Sequence, residues 1–554
     1  MPAVPASAAR TERVLWVVHP LLLAAYPVLF LYGQNLREQI TIDSLLTPLA
    51  VVLAVTAAVQ LFWSLAVRDV YRAGLATSLL VVLVFAFGHV GEALQDTLTA
   101  PGQLLAVWAV IACVGIVLIT LAPRGITRPV TRVLNVIAVA LVVVNIVPIA
   151  SYQLHELGEA TAVGGTLSVR AGSERSVPRH PDIYFIILDR YAGAKTLDES
   201  YGFDNSAFLD ALRDRGFYVA DDAVANYTKT AMSITSTLAM DYLDRDALLA
   251  KAENPGDYGP LHELLQGGEE VQRFLKSQGY TYVHVGSWWG PTFQNAMADV
   301  TYRYGSLSEF SSVLYASTVL PALDDPWQPP QPATQYWRDR CKCAQNALYQ
   351  FDRLPKIAEL RGPKFVFAHI LFPHDPYVLD RYGNLLSEQQ AKARSRALNY
   401  TDQVRYANGR MLPIIDRLLS GPDEADPVIV LAADEGPFPV RYAADQKHFQ
   451  WREATLAELD EKYRILDTFY LPGVDDPASV GLHPDITPVN TFRVVLNTYF
   501  GTDLPLLPDR SYVFSDEAHF YDWVDITDVL REEPGTEIRP IPVPSPTSGT
   551  TAAP

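Results

Sequence analysis

Cysteine is almost missing from this chain: there are three, Cys113 inside an apolar run and Cys341 and Cys343 in a CKC pair. So few cysteines exclude a small disulfide-stapled domain, and CKC alone supplies too few ligands for a metal centre. A bridge between positions two apart is strained, so free thiols and a local bridge both stay open. Positive charge is also short, with 44 Lys and Arg against 62 Asp and Glu and a net charge of -18. Phosphate backbones are bound by basic surfaces, which excludes nucleic acid as a partner. Internal repeats are absent as well.

What the chain has in excess is apolar sequence, 49% of all residues, concentrated in the first 150 positions. Five runs, Val14 to Tyr32, Leu45 to Val67, Gly74 to Val90, Leu104 to Leu121 and Val133 to Ala150, approach the ~20 residues that a bilayer requires. A cleaved signal peptide would not be followed by four further runs. Arg10 and Arg13 precede the first run, Arg68 and Arg72 lie in the second connection, and Arg124, Arg128 and Arg132 lie in the fourth. The other connections are poorer in basic residues, holding Arg37 with Glu38 and Asp43, or Asp96 alone. The positive-inside rule then puts the amino terminus in the cytoplasm, and an odd number of spans puts everything after Ala150 outside. The expectation is a multi-pass protein of the cell membrane with an extracytoplasmic functional domain.

Residues 151–180 are polar and lack periodicity, as a connector does, and 531–554 form a Pro-, Ser- and Thr-rich tail expected to be disordered. Between them, in 181–530, the strand-like runs DIYFIILD, GFYVADDAV, TYVHVGS, KFVFAHIL and PVIVLAAD alternate with the helical patterns NSAFLDALRDRG, EEVQRFLKSQG and LNYTDQVRYANGRMLPIIDRLLSG. In the last of these Leu398, Val404, Met411, Ile415 and Leu418 share a face, while Gly409 and Pro413 argue against a straight helix. Such alternation predicts a largely parallel sheet covered by helices. The fold class is therefore a multi-span α-helical membrane domain, residues 1–150, followed by an α/β ectodomain.

In an open α/β sheet, residues distant in sequence converge at the carboxyl ends of the strands. Asp189 closes DIYFIILD, Asp434 and Glu435 follow PVIVLAA, and Thr230 in NYTKTAMS stands where a helix begins. Together they make an oxygen-rich set able to hold a hard divalent cation beside a hydroxyl nucleophile. A threonine hydroxyl is a poor nucleophile unless a metal or a base stabilises its alkoxide, and a helix start would turn free N–H groups toward an anionic phosphate. The plainer reading is that NYTKTAMSITST is rich in hydroxyls, any of which caps a helix.

The order PDIYFIILD, NYTKTAMS, FPHDPY, LAADEGP resembles the sulfatase-like branch of the alkaline phosphatase superfamily, in particular lipoteichoic acid synthases and lipid A phosphoethanolamine transferases. The resemblance covers most of 181–515 and implies an alkaline-phosphatase-like ectodomain. It implies Asp189 as a metal ligand, Thr230 as nucleophile and ligand, and Asp434 as a ligand. It departs at Glu435, which stands where histidine is usual. With Glu435 as fourth ligand the shell is all oxygen, which favours manganese or magnesium, with zinc and calcium as further candidates. The alternative is that Glu435 has left the shell and pairs with a cation.

By the same resemblance His374 in FPHDPY holds substrate phosphate or a second metal. His284, ending TYVHV, is a further substrate-binding candidate, as are Lys229, which would neutralise phosphate, and Trp288, which with Trp289 either stacks on a headgroup or packs under a loop. His448 is a weaker second-site candidate, and His369 reads as a core residue. None of the cysteines sits in the CxPxR-type signature of a true sulfatase, which argues against sulfate-ester hydrolysis. The expected activity moves a phospho-headgroup from a membrane lipid donor to an envelope glycan or lipid, or to water, through a phospho-threonine. The competing expectation is an inactive sulfatase-like sensor or scaffold.

Overall fold

The computed structural model describes residues 16–34, 42–94, 102–159, 180–305, 309–324, 332–421 and 426–531. Most of the connector, the tail beyond Arg531, Arg10 and Arg13 and the side chain of Cys341 lie outside the described residues. The chain forms two compact units, Met1–Leu154 with Phe310–Gln335, and His155–Glu309 with Tyr336–Pro554. Segment 310–335 thus groups with the amino-terminal helices although it lies within the ectodomain's span of sequence. Phe310 and Leu314 are buried beside Tyr32, and the Val319 N–H donates to the Val84 carbonyl at 2.9 Å.

The first unit is built on helices α1 (His19–Gln34), α2 (Ile42–Val67), α3 (Val70–Ala93), α4 (Gln103–Leu121) and α5 (Arg124–Glu159). Four stretches, Leu45–Val67, Val70–Gly91, Gln103–Leu121 and Arg124–Ser151, are long and apolar enough to cross a membrane. At 1.5 Å per residue α1 spans about 24 Å, short of the ~30 Å hydrocarbon core. Leu61, Phe62, Leu65, Val117 and Leu118 are exposed, which in water would be costly and in lipid is not. The two Arg-bearing connections meet: Asp69 caps α3 through the Tyr71 and Arg72 N–H groups and pairs with Arg124 at 2.9 Å, and Arg72 Nη2 donates to the Ala122 carbonyl at 2.8 Å. Asn135 accepts from the His19 N–H at 3.0 Å, bringing the start of α1 toward the basic end of α5.

The second unit carries a seven-stranded sheet in the order β2-β7-β6-β1-β5-β3-β4. Its strands are β1 (Ile183–Leu188), β2 (Tyr218–Val219), β3 (Thr281–Val285), β4 (Val300–Tyr302), β5 (Lys364–Ile370), β6 (Val428–Ala432) and β7 (Asp467–Tyr470). Pairs from β6 through β1, β5 and β3 to β4 are parallel, and β7 alone runs against them, pairing antiparallel with β6 on one side and with β2 on the other. Strands β1, β5 and β6 are buried along their whole length, which explains their unbroken apolar runs. A hairpin, β8 (Tyr512–Phe514) with β9 (Trp523–Asp525), lies outside the sheet.

Helix Arg396–Leu418 continues through Gly409 and Pro413, burying Val404, Met411, Ile415 and Leu418. Leu398 is instead exposed. Tertiary burial along this face outweighs the missing N–H of Pro413. The sheet places three strand ends side by side, with β1 between β5 and β6.

Candidate active site

Register decides which side chains meet. Ile187 of β1 pairs with His369 of β5 and with Ala432 of β6. Side chains alternate along a strand, so Asp189, two beyond Ile187, and Asp434, two beyond Ala432, fall on the face that His369 shares. One ligand atom from each of Asp189, His369 and Asp434 lies within 4.8 Å of the others, and all three residues are buried. Thr230 opens helix Thr230–Ala239, and its hydroxyl is within hydrogen-bonding reach of Asp434. The sequence-derived trio Asp189, Thr230 and Asp434 is therefore brought together.

His369 was missed as a site residue, because a histidine in a fully buried strand looks like core. Its Nδ1 is held by the Thr292 hydroxyl at 2.8 Å, and its Nε2 lies 3.4 Å from Asp189 Oδ2. That is the posture of a metal-binding imidazole: one nitrogen fixed by a hydrogen bond, the other turned to the carboxylates. Asp189 Oδ1, Asp434 Oδ2 and His369 Nε2 are all buried without a hydrogen-bond partner. Burial pushes the Asp189 carboxyl up, but His374, His369 and Arg190 together hold it well below the usual range. Burial and the charges of Asp189 and Glu435 push Asp434 well above it. Orphaned donors of this kind, two carboxylates and an imidazole beside a hydroxyl, fit a divalent cation.

Glu435 points elsewhere. As the residue after Asp434 it projects to the opposite side, where its Oε1 lies 2.9 Å from Lys462 Nζ and 3.3 Å from Arg190 Nε. The expected all-oxygen shell is thus corrected: Glu435 is outside the three-residue cluster, and an imidazole is inside it. The preference for manganese or magnesium over zinc loses its basis, since imidazole suits zinc well. Gly436 makes the Glu435 arrangement possible, because a Cβ there would lie 2.2 Å from the Glu461 carbonyl oxygen. Lys462 is fully buried, donates also to the Gly436 carbonyl at 2.9 Å, and its ammonium is pushed down in pKa by burial despite Glu435.

Two further candidates from the sequence already have partners within the fold. His284 is a satisfied core histidine: Nε2 contacts the Thr292 carbonyl at 2.9 Å, Nδ1 meets the Tyr282 hydroxyl at 3.1 Å, and the ring stacks on Phe367. Lys229 is already neutralised, 3.0 Å from Glu517, with Phe438 and Tyr442 rings about its ammonium. His374 does reach the site, where its charge acts on Asp189, and Trp288 sets its ring edge-on against it at 6.1 Å. Trp289 packs edge-on against His369 at 6.0 Å. His448 is 73% exposed and sits on Asp445.

No known protein-family profile matches the chain, and no curated protein matches it. Among solved structures it is similar to the C-terminal periplasmic domain of EcEptC from Escherichia coli in complex with Zn, at 13% identity and a TM-score of 0.41, over 66% of this chain and 98% of that one. It is similar to the lipoteichoic acid synthase LtaP from Listeria monocytogenes at 13% identity and a TM-score of 0.38, over 63% and 82%. Over 89% of this chain and 97% of the other, it is similar to the integral membrane lipooligosaccharide phosphoethanolamine transferase A from Neisseria meningitidis, at 11% identity and a TM-score of 0.37.

The site's charge makes two predictions. Removal of divalent metal should destabilise the detergent-solubilised chain. Because the folded Asp434 carboxyl titrates above its unfolded value near ~3.9, its unfavourable contribution should grow as pH rises from about 4 upward. Asp434→Asn should flatten that slope and raise the chelated protein's melting point, while lowering metal affinity roughly tenfold or more. Calorimetry with and without EDTA across pH decides this, and an unchanged slope in the variant would refute it. Separately, Lys462→Met should cost about 3–5 kcal/mol by stranding Glu435 in the core, and adding Glu435→Gln should recover part of that loss in a denaturation series.

Proposed function

We propose that the protein is a membrane-anchored, metal-dependent phosphotransferase or phosphodiesterase that moves a phospho-headgroup from a lipid donor to an envelope glycan or lipid, or to water. The observation that carries this reading is the hydroxyl of Thr230 at a helix start beside the buried Asp189, His369 and Asp434. When bound, a divalent cation would neutralise phosphate charge and favour the threonine alkoxide; Asp189, His369, Asp434 and Thr230 would hold it.

The remaining chemistry belongs to the chain. Thr230 Oγ forms a bond to phosphorus while the bond from phosphorus to the lipid alcohol breaks, leaving a phospho-threonine. An acceptor hydroxyl then attacks the same phosphorus and releases Thr230. The free N–H groups at the start of helix Thr230–Ala239 face the developing charge. Burial and Arg190 push His374 below its ordinary pKa. With Nδ1 against the Asp375 carbonyl, its Nε2 is the acceptor available to an incoming hydroxyl proton.

The convergence of the Arg-bearing connections at one end of the helices supports a cytoplasmic assignment of that end, and with it the reading that the second unit is extracytoplasmic. A second reading, an inactive scaffold, draws on one observation: Glu435, at the position where the motif resemblance expects a ligand, is neutralised by Lys462 and Arg190.

Thr230→Ala should bring release of labelled headgroup from phospholipids to background while leaving the fold intact, and Thr230→Ser should keep part of the rate. Intact-mass analysis of the wild type should show the transferred group on Thr230. Full metal occupancy with no turnover on any phospholipid would favour the scaffold. A reporter fused after Thr166 should be active only outside the cytoplasm; activity confined to the cytoplasm would reverse the topology.

A further inference from the structure

Four carboxylates and two cations are set around the candidate nucleophile: Asp189, Asp375, Asp434 and Glu435, with Arg190 and Lys462. A phosphate arriving there needs a cation able to let go of its present partner. Lys462 cannot, since it is fully buried between Glu435 and the Gly436 carbonyl. Lys229 is held among aromatic rings by Glu517. Arg190 differs from both.

Arg190 follows Asp189 directly at the carboxyl end of β1, in the left-handed backbone region with φ of 60°. Its N–H lies 3.4 Å from Asp434 Oδ1, which ties this turn to the metal-sized cluster. The guanidinium lies over Phe438, 3.8 Å from the ring centroid, and so is fixed in plane by a contact that carries no charge. Its two nearest acidic contacts are unequal, with Asp189 Oδ1 farther off at 4.0 Å from Nε. Nε faces Glu435 at 3.3 Å, a carboxylate only 1% exposed, whereas Nη1 bonds Asp375 Oδ1 at 2.5 Å, a carboxylate 56% exposed. One partner is locked in the core and the other stands in water. Exposed ion pairs are weak, and a planar guanidinium exchanges a carboxylate for a phosphate oxygen with little change of geometry.

We infer that Arg190 is the phosphate-binding residue of this site, and that Asp375 is its displaceable counter-ion, occupying in the substrate-free protein the place that a phosphate oxygen takes on binding. The inference rests on the phosphoryl-transfer reading for its meaning in catalysis, but its content is anion binding. The ligand chemistry is a phosphate mono- or diester anion, whether from a lipid headgroup or from free phosphate. Asp375 then works as a selectivity filter: a weak anion fails to displace it, and a phosphate that also meets the metal cluster succeeds.

The test uses the full chain in detergent, loaded with metal and carrying Thr230→Ala so that no turnover intervenes. Titration calorimetry with inorganic phosphate is one arm, and titration with phospholipid in mixed micelles is the other. Asp375→Asn should tighten inorganic phosphate binding about fivefold or more, because the competing charge is gone. Arg190→Lys should weaken it at least tenfold with metal content unchanged, since the ammonium keeps the charge and loses the fork. In the Arg190→Lys background the effect of Asp375→Asn should shrink to less than half, the mark of two residues acting through one contact. If only the lipid arm responds, the source is a headgroup; if both respond, free phosphate is also a ligand.

Binding that is unchanged or weaker in both arms on Asp375→Asn overturns the inference, and this surface variant remains decisive even if Arg190→Lys misfolds. Failure of the enzyme reading looks different. A wild type that cleaves no phospholipid, with phosphate binding still tightened by Asp375→Asn, leaves Arg190 and Asp375 in their roles and removes catalysis. Turnover in the wild type with no response to Asp375→Asn keeps catalysis and removes this assignment.

Discussion

Like charges packed in the interior govern this site. Asp189 and Asp434 are buried at the adjoining ends of β1 and β6, and neither can be moved without changing the register of the central strands. Two ionised carboxylates in a low-dielectric interior repel strongly, and the protein's answer is uneven: Asp189 is held ionised by His374, His369 and Arg190, while Asp434 is driven toward its protonated form. An active arrangement needs both as anions. A divalent cation at their orphaned oxygens is what makes that compatible with a folded core, so the metal and the stability of the sheet's carboxyl edge are linked.

Around this pair the chain builds a layer of fixed positive charge. Lys462 and Arg190 both reach Glu435 Oε1, and both guanidinium and ammonium lie 3.8 Å from the centroid of the Phe438 ring. One aromatic residue thus positions two cations that would otherwise repel each other, with Glu435 between them. The cost of burying these groups is offset only while the network is complete, which makes it rigid. Rigidity suits a site in which a nucleophile at the start of a helix must stay aligned with a cluster on three strands.

The parallel core of the sheet was legible because continuous burial writes itself as unbroken apolar runs. DIYFIILD, TYVHVGS, KFVFAHIL and PVIVLAAD all became strands at the places expected. Strands β7 and β4 carried no such signal, since Asp467 and Thr301 interrupt the apolar pattern. At the site, Asp189, Thr230 and Asp434 were legible as polar residues closing apolar runs or opening a helix. His369 was not, because its role depends on register: aligning the carboxyl ends of the β1, β5 and β6 runs puts it on the same face as both aspartates, a relation no single run contains. Arg190 was hidden for another reason. Its neighbour Asp189 drew the eye, and nothing in the sequence says that a left-handed backbone places the next side chain between Glu435 and Asp375. His284 and Lys229 looked available because sequence cannot show partners already in place.

The exchange of histidine for Glu435, measured against the motif it resembles, looks at first like the loss of a ligand and therefore of function. The surroundings argue otherwise. A neutral imidazole would add a donor to the metal shell and no net charge, whereas Glu435 arrives with Lys462 and Arg190, whose nitrogens both reach its carboxylate beside the cluster. His369 restores an imidazole from a different strand. Positive character has been moved out of the metal shell and onto side chains, where it cannot dissociate. A buried lysine and a stacked guanidinium are costly to hold in an interior, and an anion exchanging with the water-exposed Asp375 would account for both together.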